Sequence, residues 1–133
     1  MGNAKSAMGT YLVNGVCGNE GTPGAPILHF SLVVNAATGT VSGQAQITQA
    51  LPPPYGEINI SNVTGQIHGA GLGPITQLVA LQGEIVVSVP PPAIGSFLER
   101  FQAHFAINGD WQGRGGWTLG KQTVNDAPVH TVR

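Results

Sequence analysis

Hydrophobic and polar residues alternate along much of the chain. In PILHFSLVV, Leu28, Phe30 and Leu32 alternate with His29 and Ser31, and the stretches TVSGQAQIT and ERFQAHFAI show the same period of two. This alternation is typical of β-strands that place one face on a core and the other in water. We therefore expect an all-β protein of about seven to nine antiparallel strands, arranged as a barrel or a barrel-like β-sandwich.

The inward positions of the alternating stretches define a predicted core. The stretch ITQLVALQGEIVVSV is the longest of β type, and it is predicted to be one bent strand or a hairpin that turns near Gln82-Gly83. The predicted core consists of Leu28, Phe30, Leu32, Val41, Ile47, Ile58, Ile60, Ile67, Val79, Leu81, Ile85, Val87, Phe101, Phe105 and Ile107.

Turn signals separate the strands. Asn35–Gly39 and Asn108–Asp110 are predicted to be hairpin connections, because Asn and Gly favour the tight turns that join antiparallel strands. Segments 20–26 and 69–74 are rich in Gly and Pro and are predicted to be loops.

The chain of 133 residues is expected to form a single domain, residues 1–133. Its two ends lack a clear alternating pattern. We therefore expect residues 1–8 to be disordered and residues 125–133 to be a loose C-terminal tail.

The segment SFLERFQAHFA carries two competing signals. Phe97 and Phe101 are four residues apart, which suits a helix, and Ser96 with Glu99 fits a capping box at a helix start. The alternation that begins at Phe101 indicates a strand instead. We expect one short helix near Ser96–Arg100, followed by a strand.

A four-residue pattern of a hydrophobic residue, any residue, Gly and a polar residue occurs in VSGQ, VTGQ, LQGE and WQGR. It places Gly43, Gly65, Gly83 and Gly113 within strands. Glycine inside a strand lets a sheet bend, or leaves room for a large residue opposite. The recurrence therefore predicts a sheet that curls into a barrel or a strongly bent sandwich.

The proline triplets Pro52–Pro54 and Pro90–Pro92 follow two of these strands. Proline has no N–H group for a sheet ladder, so each triplet is predicted to lie outside the sheet. As polyproline II, a triplet would span roughly 9 Å and could cross between two sheets or over a barrel end.

Charge is scarce, with 5 basic and 6 acidic residues, and the basic residues are scattered. This distribution argues against nucleic-acid binding, which requires clustered Lys and Arg. It suits an uncharged small molecule, a glycan or a protein as partner, or assembly into a homo-oligomer. Cys17 is the single cysteine, and no secretory signal or membrane span is evident. We expect a cytoplasmic protein, with signal-less export or surface presentation as the alternative.

Candidate catalytic or metal-binding residues are few, and none lies in a recognisable motif. The alternation predicts that His29, His68 and His104 face away from the core, and neither they nor His130 show metal-ligand spacing. The acidic residues form no recognisable acid/base pair, and Cys17 is expected to be a small buried hydrophobic residue. We therefore expect no metal, no cofactor and no enzymatic activity.

The large aromatic residues provide the candidate ligand-binding positions. Trp111 and Trp117 flank Arg114, and Tyr55 follows the first proline triplet. If exposed, these side chains would form a stacking platform for a sugar or another ligand. If buried, the tryptophans would be core residues.

The V-[ST]-G-Q units between short strands, together with the late strand that contains Gly116 and Trp117, resemble the recurring strand pattern of avidin-type and lipocalin-type barrels. Avidins use several Trp and Tyr residues around their pocket, and this chain has two of each. The stretches LPPPYGEINISNVTGQIHG and LQGEIVVSVPPP resemble a small bacterial family classed as a domain of unknown function. That resemblance implies no activity.

The sequence therefore favours a non-enzymatic binding or interaction module. A self-assembling structural protein is the second hypothesis, and an enzyme without a recognisable motif is the third.

Overall fold

A computed structural model describes residues 9–51, 56–73, 75–88 and 95–132. In this part of the chain, the strands form one closed antiparallel barrel in which each strand pairs with the next along the sequence. The predicted all-β barrel is confirmed. The strands are β1 (Thr10–Gly18), β2 (Ile27–Asn35), β3 (Thr40–Thr48), β4 (Glu57–Leu72), β5 (Ile75–Ser88), β6 (Ser96–Ile107), β7 (Gly113–Leu119) and β8 (Gln122–Thr131).

The C-terminal segment closes the barrel. β8 runs to Thr131 and pairs with β1 through Gly15–Thr131 and Val16–His130. The prediction of a loose tail from residue 125 is therefore wrong, because Ala127 and Val129 turn their side chains into the core. Residues 1–8 lie outside the described residues.

The predicted short helix near Ser96–Arg100 is also wrong, and no helix occurs among the described residues. This segment begins β6 and pairs residue by residue with the end of β5, from Ser88–Ser96 to Glu84–Arg100. Cross-strand pairing outweighs the local capping signal here, as tertiary context commonly does. β5 is one continuous strand rather than a hairpin.

The predicted connections are correct at three of four places. The segments at 20–26, 36–39 and 108–110 lie between strands as expected. The predicted loop at 69–74 is wrong over most of its length, because β4 continues to Leu72 and pairs with Ile75 after an irregularity in register.

Both proline triplets fall in connections between neighbouring strands, β3–β4 and β5–β6. The residues of the triplets lie outside the described residues. Each pair of flanking strands shares a ladder, and the predicted path of the triplets, between two sheets or over a barrel end, falls on residues that the structure does not describe.

The interior of the barrel is packed with side chains. Every predicted core residue is buried except Ile67 and Ile85, which are partly buried and pack against the core. Cys17 is buried as predicted, and burial is the alternative that holds for the two tryptophans. Other residues that the predicted core omits belong to the same cluster, among them Val13, Val34, Ala45, Val63, Ala103, Leu119, Ala127 and Val129.

The recurrent glycines mark places where neighbouring backbones approach closely. A Cβ atom at Gly65 would collide with the carbonyl oxygen of Ala80, and one at Gly113 would collide with that of Ala106. These contacts are consistent with the prediction that the recurrent glycines let the sheet bend. The space that glycine leaves is filled by backbone rather than by a large side chain.

Candidate functional site

Trp111 closes one end of the barrel. It lies between β6 and β7 with a φ of 59°, a rare conformation for a bulky residue, and is only 2% exposed. Its indole nitrogen donates a hydrogen bond to the Tyr11 hydroxyl at 3.1 Å, and its ring centroid lies 5.8 Å from that of Phe30.

Trp117 is buried in β7, with 1% of its surface exposed. Its indole nitrogen makes no hydrogen bond within the described part of the chain. Both tryptophans are therefore core residues rather than a stacking platform on the surface. Tyr55, another sequence-predicted candidate, lies outside the described residues.

Of the candidates that the structure describes, Arg114 alone has its side chain on the outer surface. Its Nε donates a hydrogen bond to the Asp126 carboxylate at 2.6 Å, and its terminal nitrogen donates to the backbone carbonyl of the same residue. The guanidinium is thus held in place by two contacts with β8.

A β-bulge positions the Asp126 carboxylate. Between Gly115 and Trp117, the register of β7 with β8 shifts so that β8 carries one extra residue. Asp126 takes up the extra length with a φ of 52°. Aspartate tolerates the left-handed region better than most residues, and bulges often redirect side chains near functional sites.

Arg114 lies at the rim of a groove across the outer surface of β4 to β8, with a volume of about 550 Å³. We call it the outer groove. Strand register aligns the outward-facing residues of the groove in two neighbouring rows that run across β4, β5, β6 and β7, and Gln66 and Gly116 flank the groove at the ends of the second row. These rows are His68–Leu78–Ala106–Arg114 and Gln66–Ala80–His104–Gly116.

The outer groove has an apolar floor, which includes the exposed side chain of Leu78, and polar walls. Ala80 and Ala106 contribute methyl groups, and the ring of His104 lies 3.5 Å from the place of a Cβ at Gly116. On the β4 side, Nε2 of His68 forms a hydrogen bond of 3.2 Å with the Gln66 side chain. Imidazoles and an amide thus surround an apolar surface, and the formal charges of Arg114 and Asp126 cancel.

His29, His68 and His104 face outward, as the alternation predicts, but they do not share one site. His68 and His104 line the outer groove, whereas His29 forms a hydrogen bond of 3.1 Å with Thr48 on another part of the surface. His130 forms an ion pair with Glu20 at 2.6 Å. No group of three or more potential ligands among the described residues could hold a metal ion.

A second, smaller groove of about 400 Å³ crosses the outer face of β1 to β4. Two pairs of its polar side chains are hydrogen-bonded to each other, Gln46 to Asn59 at 3.0 Å and Ser31 to Asn14 at 2.5 Å. The polar residues that line it are Asn14, His29, Ser31, Gln44, Gln46, Asn59 and Ser61.

The outer groove could not be read from the sequence, because its members come from five strands. The alternation predicts which residues point outward, yet only the register shows that His68 and His104 share a groove with Arg114. The bulge at Asp126 has a faint signal in the polar pair Asn125-Asp126 before Pro128, which the sequence interpretation assigned to a loose tail.

A family model described as a domain of unknown function (DUF1842) matches residues 8–123. The chain belongs to the DUF1842 family. The predicted membership of a family of unknown function is therefore confirmed, whereas the bacterial origin stays a prediction. The DUF1842 match spans β1 to β7 and includes His68, His104 and Arg114, whereas Asp126 lies beyond it.

No curated protein matches the chain. A helix capable of crossing a membrane is absent from the residues that the structure describes.

Proposed function

We propose that this protein is a non-enzymatic binding module whose outer groove receives an uncharged small molecule or one sugar unit of a glycan. The observation that carries the proposal is the convergence of His68, His104 and Arg114 around an apolar floor of Leu78, Ala80 and Ala106. A volume of about 550 Å³ suits a small ligand, and mostly apolar sites with a few convergent polar groups are typical ligand sites.

The compensated charges in the outer groove favour an uncharged ligand. The Arg114 guanidinium is already engaged by Asp126, so an anionic ligand would have to compete with a carboxylate at 2.6 Å. Hydroxyl groups can instead donate to or accept from an imidazole without disturbing that pair. Ala80 and Ala106 leave space beside the exposed Leu78 side chain, and this apolar surface can contact the C–H face of a sugar ring.

The chemistry of the groove favours binding over catalysis. Its carboxylate, Asp126, is held by Arg114 and is not poised beside a hydroxyl or thiol. The thiol of Cys17 lies in the core, and burial raises its pKa to about 12, so it is protonated at neutral pH. Arg100 and Arg114 are each paired with a carboxylate, which supports a partner other than nucleic acid.

The test combines a ligand screen with a variant that fills the outer groove. Neutral monosaccharides, disaccharides and polyols are added at millimolar concentration while the thermal midpoint and the amide resonances of the protein are followed. A ligand at about 100 times its dissociation constant should add roughly 2.7 kcal/mol to the free energy of unfolding. Shifted resonances should cluster around His68, His104 and Arg114.

Ala80→Trp should abolish these effects, because the indole would occupy the floor between Gln66 and His104. The matched control is Thr64→Trp, which places the same side chain at an exposed position of β4 outside the groove. The proposal fails if no neutral ligand shifts the thermal midpoint or the amide resonances of the protein. It also fails if binding persists unchanged in the folded Ala80→Trp variant.

A further inference from the structure

The second groove, on the outer face of β1 to β4, continues into a neighbouring hollow. The groove has a volume of about 400 Å³ and the hollow about 380 Å³, and they share the lining residues Asn14, Ser31, Gln44 and Ser61. We call the combined surface the amide groove. None of the described residues that line it also lines the outer groove.

Three rows of outward-facing residues cross the amide groove. The first row is apolar and the other two are polar, and the strand register aligns them as Leu12–Val33, Asn14–Ser31–Gln44 and His29–Gln46–Asn59. Successive rows are two residues apart along a strand, so the three rows span roughly 13 Å. The amide groove is therefore elongated along the strands, with an apolar end and a polar end.

A β-bulge adds polar groups to the middle row. The register of β3 with β4 shifts between Gly43 and Ala45, so that β4 carries one extra residue opposite Gln44. Ser61 and Asn62 occupy this point, and both are exposed, although neighbouring residues of a regular strand alternate between its two faces. Bulges often redirect side chains next to binding and active sites.

Hydrogen bonds within the amide groove orient its amide side chains. Asn14 accepts a hydrogen bond of 2.5 Å from the Ser31 hydroxyl through its side-chain oxygen, so its NH₂ group remains for a ligand. The NH₂ group of Gln46 donates to the Asn59 oxygen at 3.0 Å, which leaves the Gln46 oxygen as an acceptor and the Asn59 NH₂ group as a donor. Donors and acceptors thus lie side by side in an arrangement that is fixed before a ligand binds.

We propose that the amide groove binds an extended chain of a neutral polysaccharide. Each sugar hydroxyl both donates and accepts hydrogen bonds, which matches the neighbouring donors and acceptors of the groove. At the apolar end, Leu12 and Val33 are 68% and 37% exposed, and they provide an aliphatic surface for the C–H face of a ring. The described residues that line the groove include no Lys, Arg, Asp or Glu to compensate a charged ligand.

The shape of the amide groove favours a chain over a single sugar. One ring reaches one of the two hollows, whereas a chain contacts both, and linked contacts reinforce each other. An extended peptide is a poorer fit, because such peptides are commonly bound through backbone pairing at a sheet edge. Each of β1 to β4 is already paired on both sides in the closed barrel, so this surface offers side chains alone.

The experiment is an NMR titration with the neutral linear hexasaccharides cellohexaose, mannohexaose and maltohexaose at up to about 1 mM, a range that detects weak binding. At least one should shift the side-chain amide resonances of Asn14, Gln44, Gln46 and Asn59. Glucose and mannose at the same concentration should leave these resonances in place. Gln44→Ala should raise the dissociation constant, read from the Asn59 resonance, by about three- to tenfold. The matched control is Gln102→Ala, at an exposed position of β6 outside both grooves.

Leu12→Ser tests whether the bound chain also covers the apolar end. It removes aliphatic contact area and should raise the same dissociation constant by about threefold or more. The matched control is Leu98→Ser, because Leu98 is 65% exposed but lies on β6. Circular dichroism and the thermal midpoint establish that each variant is folded.

The proposal is overturned if no hexasaccharide shifts the amide resonances of the groove, or if both folded variants, Gln44→Ala and Leu12→Ser, bind as tightly as the wild type. Equally tight binding of glucose, or of a neutral Gly-Ser repeat peptide with blocked ends, overturns it as well. The result is separable from binding in the outer groove. Ala80→Trp should remove only the shifts around His68 and His104 and should leave those around Gln44 unchanged.

Discussion

The indole nitrogen of Trp111 and the hydroxyl of Tyr11 are joined by a hydrogen bond of 3.1 Å between residues 100 positions apart in the sequence. This contact ties the β6–β7 connection to the start of β1. It also gives a hydrogen-bond acceptor to the buried indole N–H of Trp111, whose backbone has a φ of 59°. The barrel end is therefore closed by one strained residue and one specific hydrogen bond.

Removal of the Tyr11 hydroxyl should destabilise the protein. Tyr11→Phe leaves the buried N–H of Trp111 unsatisfied, which should lower the free energy of unfolding by about 1–2 kcal/mol. Urea denaturation gives the value. A double-mutant cycle with Trp111→Phe should show a coupling of about 1 kcal/mol, and strictly additive effects would contradict the assigned hydrogen bond.

The glycine pattern predicts a sharp contrast between two positions on β4. Gly65→Ala would drive a methyl group into the carbonyl oxygen of Ala80 and should cost more than about 3 kcal/mol. At Gly69, on the same strand, the nearest atom to an added Cβ is the Thr76 carbonyl oxygen at 4.0 Å. Gly69→Ala should therefore change stability by less than about 0.5 kcal/mol. Similar denaturation midpoints for the two variants would show that the close approach at Gly65 is not a constraint.

Cys17 should be chemically silent in the folded protein. Burial raises the pKa of its thiol from 9.0 to about 12, although the positive charge of Arg114 partly opposes this shift. Thiolate is then about a thousandfold scarcer than at an ordinary cysteine, and the core also excludes the reagent. Labelling with an aromatic disulfide near pH 8 should proceed only through unfolding and should become rapid in denaturant. Fast, complete labelling of the native protein would contradict this placement.

The ion pair between His130 and Glu20 should make stability weakly dependent on pH. The hydrogen bond that His130 donates to the Glu20 carboxylate, followed by the one that it donates to the Thr131 carbonyl, raises the pKa of His130 above its ordinary value of 6.5. A raised pKa in the folded state stabilises the protein fully below the unfolded value, and this contribution is lost as pH rises through the folded value. Because the two side chains are 42% and 49% exposed, the effect should stay below about 1 kcal/mol.

Chemical denaturation at about pH 6 and about pH 8.5 measures this contribution through the linkage between proton binding and stability. Glu20→Gln should reduce the difference between the two values, because it removes the charge that favours the imidazolium form. If Glu20→Gln keeps the full wild-type difference in the free energy of unfolding between the two pH values, the pH dependence belongs to another group.

The sequence predicts the strands well where burial alternates, because each inward residue reports the face on which its strand packs. Leu28, Phe30 and Leu32 are examples, and all are buried. Prediction fails where a distant strand decides the outcome. Ser96 carries a helix-start signal, but pairing with β5 makes it the first residue of β6.

The candidate site was only partly accessible from sequence. The structure shows Arg114 on the surface, whereas the direction of the Trp111 side chain depends on a positive φ that no local pattern reveals. The partners of Arg114 in the groove depend on the register of four strands and on the bulge at Asp126. Register is a property of the assembled sheet, so those neighbours appear only in three dimensions.

The ladder between β8 and β1 has a consequence for how the chain reaches its native state. It joins Gly15–Cys17 to Val129–Thr131, the two ends of the described sequence, whereas every other ladder joins consecutive strands. Contacts of such high sequence separation slow folding. During synthesis, β1 to β7 would emerge before their last partner and would expose two unpaired edges until β8 arrives. Vulnerability to aggregation should therefore be greatest while β7 has formed and β8 has not yet paired with β1.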